Sequence, residues 1–289
     1  VLAALTLGLY GSILSYSFTH DDPVILKHVL SHTLPELVAS PQAWRDYNPL
    51  YFFPEQLWSF KLDVSLFGLE ARALRARQLA GLVAAAFFLF RVIRSFAGPL
   101  LSLWGAALFL AGPVAAGLAQ KLMSRHYLDG LVFALASYLA LRRYATEDPR
   151  RRWLAVSAVL YFFAILAKEV FAPLPLLAIL WLGFRRNLGA WLSLGGALAS
   201  AVAYRLYMVG SLARVYQPDI WTFPVLLGNA GRFLGALPGA LLGASGTLEF
   251  LALGLLGLSV VAGLRAPGTG LVVLASAAIA VAPAVLVAE

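Results

Sequence analysis

Apolar runs recur along this chain and are separated by short polar turns. A helix that crosses a bilayer needs roughly 20 predominantly apolar residues, within a range of about 17–25. Runs at or just under that length predict spans over 1–18, 77–96, 98–119, 127–143, 153–167, 170–184, 188–209, 248–263 and 269–288. A tenth stretch, 225–244, is ambiguous. No segment shows the alternation of a membrane β-barrel. The predicted class is therefore all-α, a polytopic transmembrane helical bundle. The one long polar interruption, 19–76, is too rich in aromatics and leucine to be disordered. It predicts a structured loop carrying one or two amphipathic interfacial helices. The chain reads as a single transmembrane domain over 1–289, with the loop at 19–76, a helical core at 77–210, and a loop, a re-entrant segment and the last helices over 211–289.

Composition narrows the class. Of 289 residues, 61% are hydrophobic and only 12% charged, with no cysteine. An ordinary soluble domain is about 25% charged. These values exclude a soluble enzyme, a disulfide scaffold and a thiolate metal site. The net charge of +8 points to no nucleic-acid partner, since surplus Lys and Arg in membrane proteins flank cytoplasmic helix ends. The chain opens at Val1 inside an apolar run, which reads as a truncated first helix rather than a signal peptide.

The basic residues set an orientation. Arg91 and Arg94, then Arg142, Arg143, Arg150, Arg151 and Arg152, then Arg185 and Arg186 fall in three short loops. The positive-inside rule places all three on the cytoplasmic side if the first helix exits outward. Most acids then lie outside, among them Asp21, Asp22, Glu55, Asp63, Asp129 and Glu169, and only Glu147 and Asp148 clearly lie inside. In this arrangement 225–244 becomes re-entrant or interfacial, with Gly231, Gly235, Gly239 and Gly243 on one face and a kink at Pro238. The run 153–184 becomes a helical hairpin with Lys168 and Glu169 near its tip. Each arm of about 15 residues spans only about 22 Å, so those charges face protein rather than lipid.

Four groups of residues could carry chemistry. Asp21 and Asp22, adjacent at a helix exit, repel each other unless they bind a cation or a proton. They read as a general base and a metal ligand, or as a solvated turn before Pro23. Lys168 and Glu169 read as an anion site with a supporting carboxylate, or as an ion pair that lets the hairpin turn. Arg125, with Lys121, His126 and Asp129, can offer bidentate bonds to phosphate, or snorkel toward headgroups. The aromatics from Trp44 to Phe60 form a platform for a sugar or lipid tail, or interfacial anchors. His20, His28, His32 and His126 show no zinc spacing. No GxxxxGK[ST], HExxH or GxSxG occurs, so an activated donor would have to supply the energy of any transfer.

Four blocks in order resemble the GT-C superfamily of integral-membrane glycosyltransferases, nearest to its protein O-mannosyltransferase and TMTC-like branch. They are SFTHDDPVILKHV, YNPLYFFPEQLWSFKLDVSLFGLEARALR, SRHYLDGLVFALASYLALRRY and LAKEVFAPLPLLAIL. Asn48 stands where the family usually has Arg before Pro-Leu, and Arg72, Arg75 and Arg77 stand where it often has His. No family motif follows residue 190.

The resemblance implies a polyprenyl-phosphate sugar donor and an acceptor hydroxyl on a protein, lipid or glycan at the outer face of a plasma membrane. It implies inverting transfer, with Asp21 or Asp22 as base and Arg125 and Lys168 on the donor phosphate. A divalent metal, Mg or Mn, on Asp22 and Glu169 is a tentative addition. The residues leave open two other classes: a transporter or flippase for lipid-linked sugars, and a structural membrane subunit.

Overall fold

The computed structural model describes residues 1–19, 21–48, 51–174 and 188–210. Among these the secondary structure is helical, with no strand. The candidate spans at 225–244, 248–263 and 269–288, the Gly231–Gly243 face, His20 and most of the second hairpin arm lie outside the described residues.

The chain opens with α1 (Leu2–Tyr10) and a 3-10 continuation, Gly11–Ser15. The loop expected at 19–76 folds into more helices than its pattern suggested. They are α2 (Asp22–Ser31), α3 (Leu34–Ala39), α4 (Pro41–Tyr47) and α5 (Pro54–Phe67). Each has proline in its first turn, where the missing N–H costs nothing. Thr33 and Glu36 close α3 with a capping box. Gly68 ends α5 at φ 65°, a conformation most side chains resist.

Six residues earlier than expected, α6 (Ala71–Ile93) begins, capped by Glu70. The pattern missed this turn because Arg72, Arg75 and Arg77 look like loop residues, yet Arg75 is fully buried. Next come α7 (Pro99–Ala111) and α8 (Pro113–Gln120), bent by 55° where one straight span was expected. Pro113 cannot donate into the preceding turn, and Gly112 turns extended there. Then follow α9 (Arg125–Thr146), α10 (Arg151–Ala167), a 3-10 turn at Glu169–Phe171 and α11 (Leu188–Val209). The end of α10 before Lys168 and the bounds of α11 agree with the hydropathy pattern.

Two helices, α6 and α11, are long and apolar enough to cross a membrane, with α7 and α8 a third if taken as one bent span. At 23 residues, α6 is about 34 Å long at 1.5 Å per residue. On α7, Leu100, Trp104 and Leu108 present one stripe, each at least 60% exposed. Such an apolar face is at ease in hydrocarbon and costly in water. Both features point to a membrane protein.

Helix α9 is central, packing against α6 on one side and α10 on the other, with α11 beyond α10. One apolar core, around Leu82, Leu110, Leu118 and Leu128, joins α1 to α6–α9. Another, around Trp44, Leu57, Phe60 and Leu166, seats α2–α5 on the bundle. Tyr204 and Tyr207 of α11 donate to the Val38 and Ala39 carbonyls at 2.5 and 2.8 Å and fasten α3 to that helix.

Candidate functional site

Helix α5 places Glu55, Ser59 and Asp63 at successive four-residue steps, hence on one face. That face is turned inward, and all three residues are buried. Arg77 and Gln78 from α6 and Arg125 and Asp129 from α9 meet them. Arg125 donates to Asp63 Oδ2 at 2.5 Å, to Gln78 Oε1 at 3.4 Å and to the Leu74 carbonyl at 3.3 Å. Its guanidinium also lies 4.1 Å from the Phe60 ring centroid. Arg77 donates to Asp129 Oδ1 at 2.7 Å and to Ser59 Oγ at 3.1 Å, and stands 3.7 Å from Asp63. Ser59 in turn donates to Asp129 Oδ2 at 3.1 Å.

This cluster holds two guanidiniums against three carboxyls. The surplus acid is Glu55. Burial first, and then the charge of the neighbouring Asp129 carboxylate, push its pKa well above the usual range. Arg77 and Arg125 pull the other way without reversing it. The shift favours the neutral acid, the form in which two arginines balance two aspartates and a buried ionic group avoids a large desolvation cost.

A second buried pair lies beside it. Asp22 accepts from the Thr19 backbone N–H at 3.0 Å and stands 4.0 Å from Arg75. Arg75 donates to the carbonyls of Tyr16, Ser17 and Gln120. It therefore ties the end of the first helical segment to the end of α8. Asp22 Oδ1 has no hydrogen-bond partner. Its neighbour Asp21 is exposed at the N-cap of α2. The two acids thus part company: one anchors, one faces out.

The third feature surrounds Lys168. The chain turns extended after α10. The ammonium then sits 5.4 Å from the Phe53 ring centroid and 5.5 Å from those of Tyr51 and Tyr127. Three ring faces around one cation make a cation–π cage. Glu169 stands 3.5 Å from Nζ, with its Oε2 buried and unpartnered. Phe53 stacks on His126 at 4.8 Å, and Tyr47 meets Phe53 edge-on at 6.3 Å. Burial raises the Tyr47 pKa, and the nearby Asp21 carboxylate adds to it. Lys168 therefore borders an aromatic wall that runs from Phe53 to Tyr47, and Asp21 acts on the Tyr47 end through its charge.

Of the residues singled out from sequence, Asp21 stays exposed at the start of α2, while Lys168, Glu169 and His126 gather around that wall. Arg125 and Asp129 belong to the closed cluster behind it, and Lys121 is exposed. Glu55, Asp63, Arg75 and Arg77 were missed as partners. The four-residue spacing of Glu55, Ser59 and Asp63, matched by Arg125 and Asp129, was the signal available. Asp22 and Glu169 are each already opposed by a cation. Among the described residues no group of three or more His, Cys, Asp or Glu could hold a metal.

No protein-family model, curated protein or solved structure matches the chain.

Proposed function

We propose that the chain is a polytopic membrane glycosyltransferase of the GT-C type, transferring sugar from a polyprenyl-phosphate donor to an acceptor hydroxyl at the outer face. The observation that carries this reading is the aromatic wall. A cation, Lys168, faces Phe53, Phe53 meets Tyr47 edge-on, and the exposed carboxylate Asp21 acts on Tyr47 through its charge, all beside apolar helices. A lipid-linked sugar needs such a place: a cation for its phosphate, aromatic faces for its sugar, and lipid for its tail.

In this mechanism Asp21 takes the proton from the acceptor hydroxyl. The hydroxyl oxygen attacks the anomeric carbon from the face opposite the leaving group. The bond from that carbon to the phosphate oxygen breaks, and its electron pair leaves with the polyprenyl phosphate. The configuration inverts. Lys168 stabilises the charge gathering on the phosphate, and Glu169 holds the ammonium in place. Asp22 acts as a positioning residue through Arg75. Arg125, enclosed with Asp63, supports the wall from behind by fixing α5 to α9. The acceptor is a protein, lipid or glycan.

The bend between α7 and α8 is the one feature that suits a transporter instead. Transporters place such breaks in corresponding positions of two repeats, and this one has no counterpart among the described residues.

The deciding experiment is in vitro transfer by the purified full chain with a panel of polyprenyl-phosphate sugars. Asp21→Asn should lower turnover by about 10²–10⁴-fold, the usual worth of a general base, with thermal unfolding unchanged. Full turnover in Asp21→Asn would remove it as the base. No transfer from any donor by the wild-type chain would overturn the reading itself.

A further inference from the structure

At the ends of α6 and α9 remote from the Lys168 cage lies a pocket of about 410 Å³. It is lined by Phe90, Arg91, Arg94, Ser95, Leu139 and Arg142. On α9, Tyr127 at the cage and Arg142 at the pocket are separated by about 22 Å at 1.5 Å per residue.

The arginines at this end of the molecule divide into two sets. Those on and after α9 are mostly spent on their own chain. Arg143 lies 4.2 Å from the Trp153 ring centroid, and Arg150 and Arg152 each pair with Asp148 at 3.3 Å. The set around the pocket is not. Arg91 and Arg94 have no carboxylate partner among the described residues. They stand one helical turn apart on the same side of α6. Arg94 is steered by donating to the Ala97 carbonyl at 2.9 Å. Arg142 alone meets an acid, Glu147, at 3.5 Å. Three guanidiniums against one carboxylate leave the pocket with an excess of two positive charges.

Its chemistry is that of a phosphate receptor with an apolar side. Guanidinium forks match phosphate oxygens. Phe90 and Leu139 supply a wall that a free anion has no use for. The pocket also lies at the end of a helix apolar and long enough to span, where a bilayer gives way to water. Basic pockets between helices at that level suit anionic headgroups.

We propose that Arg91, Arg94 and Arg142 form a site for the phosphodiester headgroup of an anionic phospholipid, at the membrane boundary opposite the aromatic wall. The site holds whether or not the chain transfers sugar. Phosphate on the arginines fixes the ends of α6 and α9 to each other, with the acyl chains lying along the apolar helix surface.

The test is lipid binding to the purified full chain, read by native mass spectrometry and thermal unfolding. The probes are phosphatidylglycerol, phosphatidylcholine and glycerol phosphate. Phosphatidylglycerol should bind tightest. A pair of basic residues near the surface is worth about thirtyfold in affinity, so the double variant Arg91→Gln/Arg94→Gln should lose about that much. Arg91→Gln alone, an exposed position whose change cannot unfold the helix, should lose about fivefold. Arg150→Gln, paired to Asp148, should change affinity by less than about twofold. Equal binding of the two lipids overturns the proposal, as does glycerol phosphate matching phosphatidylglycerol, or wild-type affinity in Arg91→Gln.

Discussion

The two arginines and two aspartates packed between α5, α6 and α9 pair with one another, leaving Glu55 Oε2 without a partner among the described residues, while the cation at the aromatic wall is held mainly by ring faces. In the first region Arg125 is fully enclosed and bonds Asp63, Gln78 and a carbonyl, and Arg77 bridges Asp63 and Asp129. In the second, Asp21 faces out, Lys168 is held by ring faces and one carboxylate, and Glu169 keeps a bare oxygen. The same side-chain types do different work because their surroundings differ. The first network positions helices, since its two arginines and two aspartates already hold one another. An open one has charge left for something that arrives. The Arg125 expected from sequence at a donor phosphate falls on the closed side of that division, and Lys168 on the open side.

The comparison breaks most visibly at Arg125. Arg125→Ala removes the nearer of the two cations on Asp63 and leaves only Arg77 at 3.7 Å, and removing one partner of a buried pair costs about 3–5 kcal/mol. Chemical unfolding of the full chain in detergent should show that loss. Adding Asp63→Ala should restore part of it, because the under-compensated buried carboxylate is then gone. A loss below about 1 kcal/mol for Arg125→Ala would mean that water reaches the cluster and that the two regions are not different in kind.

Glu55 gives the next effect. Its native pKa lies above the ordinary 4.5 because of burial and Asp129, so the folded chain keeps a proton that the unfolded chain gives up. This contribution is fully favourable below pH 4.5 and is lost as pH rises toward the raised native value. One proton limits the slope to about 1.4 kcal/mol per pH unit. Glu55→Gln mimics the protonated acid, so it should fold and should flatten that slope. An unchanged pH profile would show that Glu55 is ionised in the native cluster.

Lys168 gives the smallest effect on stability. Lys168→Gln removes cation–π contacts worth about 0.5–1 kcal/mol at a partly exposed site, and unfolding should move no further than that. In the proposed transfer reaction the KM for the polyprenyl-phosphate sugar should rise while the folded chain remains intact. A stability loss as large as that of Arg125→Ala would assign the cage to the closed network.

Much of the helical layout was legible in the sequence. Hydropathy placed α11 at 188–209 and the break after Ala167, because a long apolar run ended by charge has few other solutions. It did not show the early start of α6, where buried Arg75 looks like a loop residue until its carbonyl partners are known. Nor did it divide Asp21 from Asp22. Adjacent acids look alike on paper, and only the approach of Arg75 from α6 takes one of them inside.

The sequence by itself determined helical class, apolar lengths and the spacing that puts Glu55, Ser59 and Asp63 on one face. Those are local properties, set by periodicity and composition. Only the tertiary structure decided which charges neutralise each other and which remain open, since that depends on α6 and α9 meeting α5 across long sequence separations. Spacing fixes the face a residue occupies. The partner on the other side of that face is chosen by packing.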